Sequence, residues 1–257
     1  MRRFMFITLL LGLFILPLYA QSNLDNVRLF QSYFYDAPIS KAGYGQGGLM
    51  YANYDLWNSF RIGVMGGYPI NEKIELGTQL HFVNFSPDKG DGQSGISDID
   101  VFGRYNVFNQ DKTNISAGGM VSLPIGSEDV LEGNLDFGAF GAIRHALNSH
   151  MSLVGTIGLM FYESKKPKFN PNTFEVEEET SYENYLNIGA GLVYAVNKEF
   201  NVVGELNIKS EGDYMLLSGG ADYLLGSGRL RAGLGLGLDD GAPDFLLMAG
   251  YQLSLSK

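Results

Sequence analysis

From about Tyr44 onward the chain alternates apolar with small or polar residues, in short segments separated by turn-forming residues. A period of two is that of a β-strand with two unlike faces. The pattern predicts about twelve strands, over 45–53, 58–70, 73–85, 95–108, 113–125, 133–146, 150–163, 182–196, 199–210, 213–225, 228–238 and 243–255.

The expected connections alternate in kind. Tight turns follow the even-numbered strands, at Ile70-Asn71-Glu72, Asn109 to Lys112, Asn148-Ser149, Asn197-Lys198 and Gly226-Ser227. The remaining connections include Ser86 to Ser94, Gly126 to Glu132 and a polar, acidic stretch from Ser164 to Ser181, which is expected to be a long loop. Those around 54–57 and 210–212 are short. An even strand count with short turns at one end is the asymmetry of bacterial barrels, whose short turns face the periplasm. In the hairpin around Gly226-Ser227, counting outward sets Asp222 against Arg231 and Tyr223 against Leu230.

Each strand has one face of large apolar residues and one of Gly, Ser, Asn and charges. The fourth, for example, puts Ile99, Val101 and Tyr105 on one side and Asp98, Asp100 and Arg104 on the other. A soluble barrel would turn the apolar face inward. Aromatic placement decides against that. Tyr68, Tyr105, Tyr194, Tyr223 and Tyr251 fall near the lower ends of five strands, on the apolar face, and Phe60, Phe82, Phe161 and Phe245 near the upper ends. Two aromatic rings bounding an apolar band suit a lipid-facing surface. The fold class expected is therefore all-β, an antiparallel up-and-down transmembrane β-barrel spanning 44–257.

The first twenty residues run from Met1-Arg2-Arg3 through an apolar stretch to Ala20, the form of a cleaved secretory signal. Residues 21–43 do not follow the alternation and are expected to be a periplasmic tail or an inward-folded plug. The mature chain holds no second apolar run long enough for a membrane helix. There are no cysteines, so an exported chain of this kind relies on barrel closure rather than disulfides. Loss of Arg2 and Arg3 takes the net charge from −10 to −12, which argues against nucleic acid as a partner.

Gly95-Ile96-Ser97-Asp98 and the later Leu123-Pro124-Ile125-Gly126 resemble the Gly-x-x-Asp strand and the Leu-Pro-x-Gly strand end of the outer-membrane barrel family named for the meta-pathway of phenol degradation. Asn71 to Gly77 is similar to the same family's turn and strand, so the resemblance covers about residues 59–126. It implies an outer-membrane barrel with an uptake role.

The polar face carries Arg61, Glu75, His81, Asp98, Asp100, Arg104, Asp136, Arg144, Glu205, Lys209, Asp222, Arg229 and Arg231, which are expected to line the lumen. Charges inside a barrel must be hydrated or paired, and their mixed signs point to weak ion selectivity. Small residues on that face, among them Ser116, Gly118, Gly138, Gly189 and Gly233, are expected to leave space, with Phe102, Phe140 and the N-terminal segment as possible occlusions. His81 beside Asp98 or Asp100 could pass for a base and its orienter, but no positioned serine accompanies them. Gly233-x-Gly235-x-Gly237 precedes no helix and is not a dinucleotide motif. Catalytic, cofactor and metal sites are all expected to be absent. The expected role is passage of a small solute across the bacterial outer membrane, the partners being membrane lipid and that solute. A closed structural or adhesive barrel is the alternative, and a lipid-modifying hydrolase the third.

Overall fold

The computed structural model describes residues 36–127, 130, 133–170 and 175–255; the expected signal segment and residues 21–35 lie outside them. The alternating segments become β1 (Tyr44–Tyr54), β2 (Trp57–Pro69), β3 (Ile74–Pro87), β4 (Gln93–Ile96), β5 (Ile99–Gln110), β6 (Thr113–Leu123) and β7 (Asp136–Ala146). They continue as β8 (Met151–Asn170), β9 (Glu175–Ala195), β10 (Phe200–Lys209), β11 (Tyr214–Leu225), β12 (Gly228–Gly237) and β13 (Phe245–Ser254). Neighbours in sequence pair antiparallel, and β1 closes the ring against β13 from Tyr44↔Ser254 to Asn53↔Phe245. Closure removes the free sheet edges that lipid cannot solvate. β4 and β5 both pair with β3 and together form the expected fourth strand, so the ring has twelve members.

Three of the tight turns share one local device. In Ile70-Asn71-x-x-Ile74, Leu147-Asn148-x-x-Met151 and Val196-Asn197-x-x-Phe200, the Asn carboxamide oxygen accepts the backbone N–H groups two and three residues on, at 2.8–3.0 Å. The side chain thereby stands in for a turn carbonyl. In the last of the five, Gly226 has φ 62°, the positive region that a type II′ hairpin requires at its first central position. That turn sets Asp222 opposite Arg231 and Tyr223 opposite Leu230, the expected register.

The two faces separate as a membrane requires. Leu234 is 55% exposed, and Val64, Ile157 and Leu247 are similarly open on the outside, whereas Glu75 and Asp222 are 0% exposed inside. Tyr68, Tyr105 and Tyr223 are exposed near the short-turn end, and Phe60, Phe82 and Phe245 near the other. At the upper rim Phe137 stacks on Phe161 at 5.1 Å.

Two expectations are corrected. The stretch from Ser164 to Ser181 is no loop: β8 and β9 stay paired through Lys166↔Glu179 as far as Asn170↔Glu175. β7 pairs β8 only up to Phe161, and β10 pairs β9 only up to Asn187, so the hairpin stands alone above the rim. The nine residues of β8 past Phe161 reach roughly 30 Å at ~3.4 Å per residue. A hairpin outside the closed wall has no lipid face and lumen face to keep apart, so its sequence is under no demand for a period of two.

The second correction concerns the inward glycines, which do not leave empty wall. Gly77 lies opposite Phe102, Gly118 opposite Phe140 and Gly138 opposite Met160, and a Cβ on any of the three would overlap that partner's side chain. Each large side chain therefore lies flat on its neighbour's glycine. Phe102, Phe140 and Met160 form one apolar layer, joined by Met65, Met120 and Tyr185. Along these strands, polar inward side chains lie above it, as at Asp100 and Asp136, and below it, as at Arg104 and Arg144.

Candidate functional site: the two halves of the lumen

Below the apolar layer, towards the short turns, the charges are consumed in pairing. Glu75 accepts Arg104 Nη2 at 2.8 Å, the Ser40 amide at 2.8 Å and the Tyr44 hydroxyl at 3.1 Å, as well as the Ser40 hydroxyl. Arg144 meets the Asp36 carboxylate at 2.5 Å, while Arg104 donates to the Asp36 carbonyl. Ser116 and Asn106 both donate to the Ala37 carbonyl. Asp36 to Ser40 is thus folded inside the barrel, against β3, β5, β6 and β7. Across the lumen Asp222 takes Arg229 at 2.5 Å and Arg231 at 3.3 Å, and Arg231 also donates to Gln46 at 2.9 Å. Carboxylates with several donors can hold buried guanidinium groups without water.

Above the layer the arrangement differs. A cavity of about 260 Å³ is lined by Arg61, Gln79, His81, Asp98, Asp100, Met120, Asp136, Tyr185 and their neighbours. Asp100 accepts Gln79 Nε2 at 2.6 Å and the Ser122 hydroxyl. Asp98 accepts backbone N–H groups from Gly126 at 2.6 Å, Gly133 at 3.0 Å and Asn134 at 3.2 Å. The two segments that carry the family resemblance therefore meet: Asp98 of the first is bonded to Gly126 of the second. That contact draws the connection between β6 and β7 inward, and the wall is interrupted at Ser97-Asp98 to permit it.

Of the remaining sequence-predicted residues, Glu205 accepts the Ser218 hydroxyl at 3.1 Å, and Lys209 lies 4.7 Å over the Tyr214 ring. His81 shares the upper cavity with Asp98 and Asp100, but its ring bonds to neither among the described residues, so no base-and-orienter pair is assembled. His145 is half-buried and bonded to Thr113 at 2.8 Å. Asp36, Ser40, Gln79 and Tyr185 are part of these arrangements and were not singled out from sequence. A signal for Asp36 existed: at the lower end four inward arginines face only Glu75 and Asp222, a surplus of positive charge that calls for another acid.

No family model and no curated protein matches the sequence. Solved structures do resemble the fold. The KdgM porin in complex with disordered oligogalacturonate aligns with a TM-score of 0.53 and 12% identity, covering 82% of this chain and 99% of that one. The NanC porin aligns at 0.52 with 9% identity, over 83% and 100%. The β-domain of the Bordetella autotransporter BrkA aligns at 0.53 with 12% identity, over 86% and 100%. Porins and an autotransporter domain are matched equally well, so the likeness is one of architecture. A closed antiparallel ring with an apolar, aromatic-bounded exterior makes this chain a twelve-stranded β-barrel of the bacterial outer membrane.

Proposed function

We propose that the barrel is a narrow channel for a small polar solute, entered through the upper cavity and restricted at the periplasmic end by Asp36 to Ser40. The observation that carries this reading is the contrast along the lumen: a charged cavity above, and below it a chain segment held to the wall by Arg104, Arg144 and Glu75. The side chains of Phe102, Phe140 and Met160 lie flat against neighbouring glycines instead of projecting across the lumen, and a barrel of twelve strands is wide enough for a narrow passage. Its mixed charges favour weak ion selectivity. The resemblance of the sequence to a family with an uptake role points the same way.

A structural or adhesive barrel is the second reading, favoured by the hairpin that stands clear of the rim. A hydrolase is not supported, since His81 has no carboxylate oriented on it. Planar bilayers separate the first two. The purified barrel should give small conductance steps, and the double change Asp36→Ala with Ser40→Ala should give larger or longer ones. A folded, heat-modifiable barrel that conducts in neither form excludes passage and leaves the structural reading.

A further inference from the structure

The upper cavity holds two charged groups that the barrel leaves unmatched. Arg61, on β2, makes no ion pair, and its guanidinium no hydrogen bond, among the described residues; its Nε is buried without a partner. Asp136, on β7, accepts one backbone N–H, from Glu163 at 3.0 Å, and meets no cation. Both line the same cavity, yet they do not pair with each other. β3, β5 and β6 lie between their strands, so they stand at opposite edges of it.

The other acids are committed elsewhere, Asp98 to the amides of the β6–β7 connection and Asp100 to Gln79 and Ser122. Met120, Met160 and Tyr185 supply an apolar wall. A half-buried charge without a partner is unfavourable, and the lower half shows that this fold pairs its arginines closely where it can. A simple anion would satisfy Arg61 but face three aspartates. A simple cation would satisfy Asp136 and leave Arg61 alone. Only a solute carrying both charges answers both groups.

We propose that this cavity binds a small zwitterion, with its carboxylate on Arg61, its ammonium on Asp136 and a short apolar body against Met120, Met160 and Tyr185. The cavity is smaller than the range, from about 300 Å³, typical of ligand pockets, which limits the solute to a few heavy atoms. This names the solute class of the proposed channel and rests on that reading only for the direction of entry.

Calorimetric titration of the purified full-length barrel in detergent tests it, with glycine, 4-aminobutyrate and 6-aminohexanoate as zwitterions and butyrate and butylamine as single-charge controls. At least one zwitterion should bind about tenfold more tightly than either control, as a charge-assisted bond implies. Arg61→Gln should lower its affinity to that of butylamine, Asp136→Asn to that of butyrate, and Arg61→Lys should restore part of it. Heat-modifiability confirms that each variant is folded. Butyrate or butylamine binding as tightly as every zwitterion overturns the proposal, as does the absence of all binding. Binding without conductance in bilayers overturns the channel and keeps the site; conductance without binding does the reverse.

Discussion

The two halves of the lumen use the same residue types to opposite ends. Below the layer of Phe102, Phe140 and Met160, arginine and carboxylate meet at 2.5–3.3 Å and are sealed from solvent. Above it, Arg61 and Asp136 share a cavity without meeting. What differs is the supply of partners. The lower half gains Asp36 and Ser40 from a segment outside the alternating pattern, whereas two upper aspartates are spent on loop amides and on Gln79 and Ser122. An inward charge in such a barrel is therefore structural or receptive according to what else the chain delivers to its level, and not according to its own identity.

The comparison breaks most readily at the buried pairs. Removing Arg104 as Leu strands the fully buried Glu75, and breaking a buried pair by deleting one partner costs about 3–5 kcal/mol. Arg61→Leu removes no partner from any described residue and should change stability by less than about 1 kcal/mol. Urea unfolding followed by electrophoretic mobility checks both, and equal losses would erase the distinction between the halves.

The boundary between them can be tested next. Gly118→Val would drive a side chain into the Phe140 ring and the Gly103 carbonyl, an overpacking expected to cost about 1–3 kcal/mol. Gly45→Ala, where nothing lies within 4 Å of the added atom, should be close to neutral. The same unfolding assay serves. A Gly118 variant as stable as the Gly45 one would mean that Phe140 does not lie flat on the wall.

The smallest effect belongs to the turns beneath the lower half. Asn148→Ala removes the oxygen that accepts from His150 and Met151, two exposed hydrogen bonds that compete with water and together contribute about 1 kcal/mol, the low end of the usual range. Refolding yield into lipid vesicles should fall slightly, and more clearly when Asn71 and Asn197 are changed as well. No change in the triple variant would leave those turns to backbone bonding alone.

Much of this was legible in the sequence because a two-faced wall writes its period into it. The strand number, the Asp222–Arg231 register and the inner and outer faces all follow from alternation and turn chemistry. The β8–β9 hairpin was misread as a loop because above the rim its two strands pair only with each other, and a strand outside the closed wall is under no demand to alternate. The glycines were misread as open space because a sequence shows a missing side chain but not the ring that the neighbouring strand lays over it. Asp36 was missed for a third reason: the surplus of lower-end arginine calls for another acid, but Arg104 and Arg144 lie far along the chain from Asp36, so nothing local says which acid answers it. Likewise, nothing local marks Arg61 as unpaired while Arg104 is paired.

The central claim is that the lumen is open to solvent above the apolar layer and held shut below it. Since the chain has no cysteine, single thiols report on each half without interference. Gln79→Cys lines the upper cavity, and Ser116→Cys lies under the Ala37 carbonyl. A membrane-impermeant maleimide added to intact cells should modify the Gln79→Cys protein and spare the Ser116→Cys protein, unless Arg144→Leu is added to release Asp36. Modification of both at the same rate without that release would contradict a closed lower half, and protection of both would contradict an open upper one.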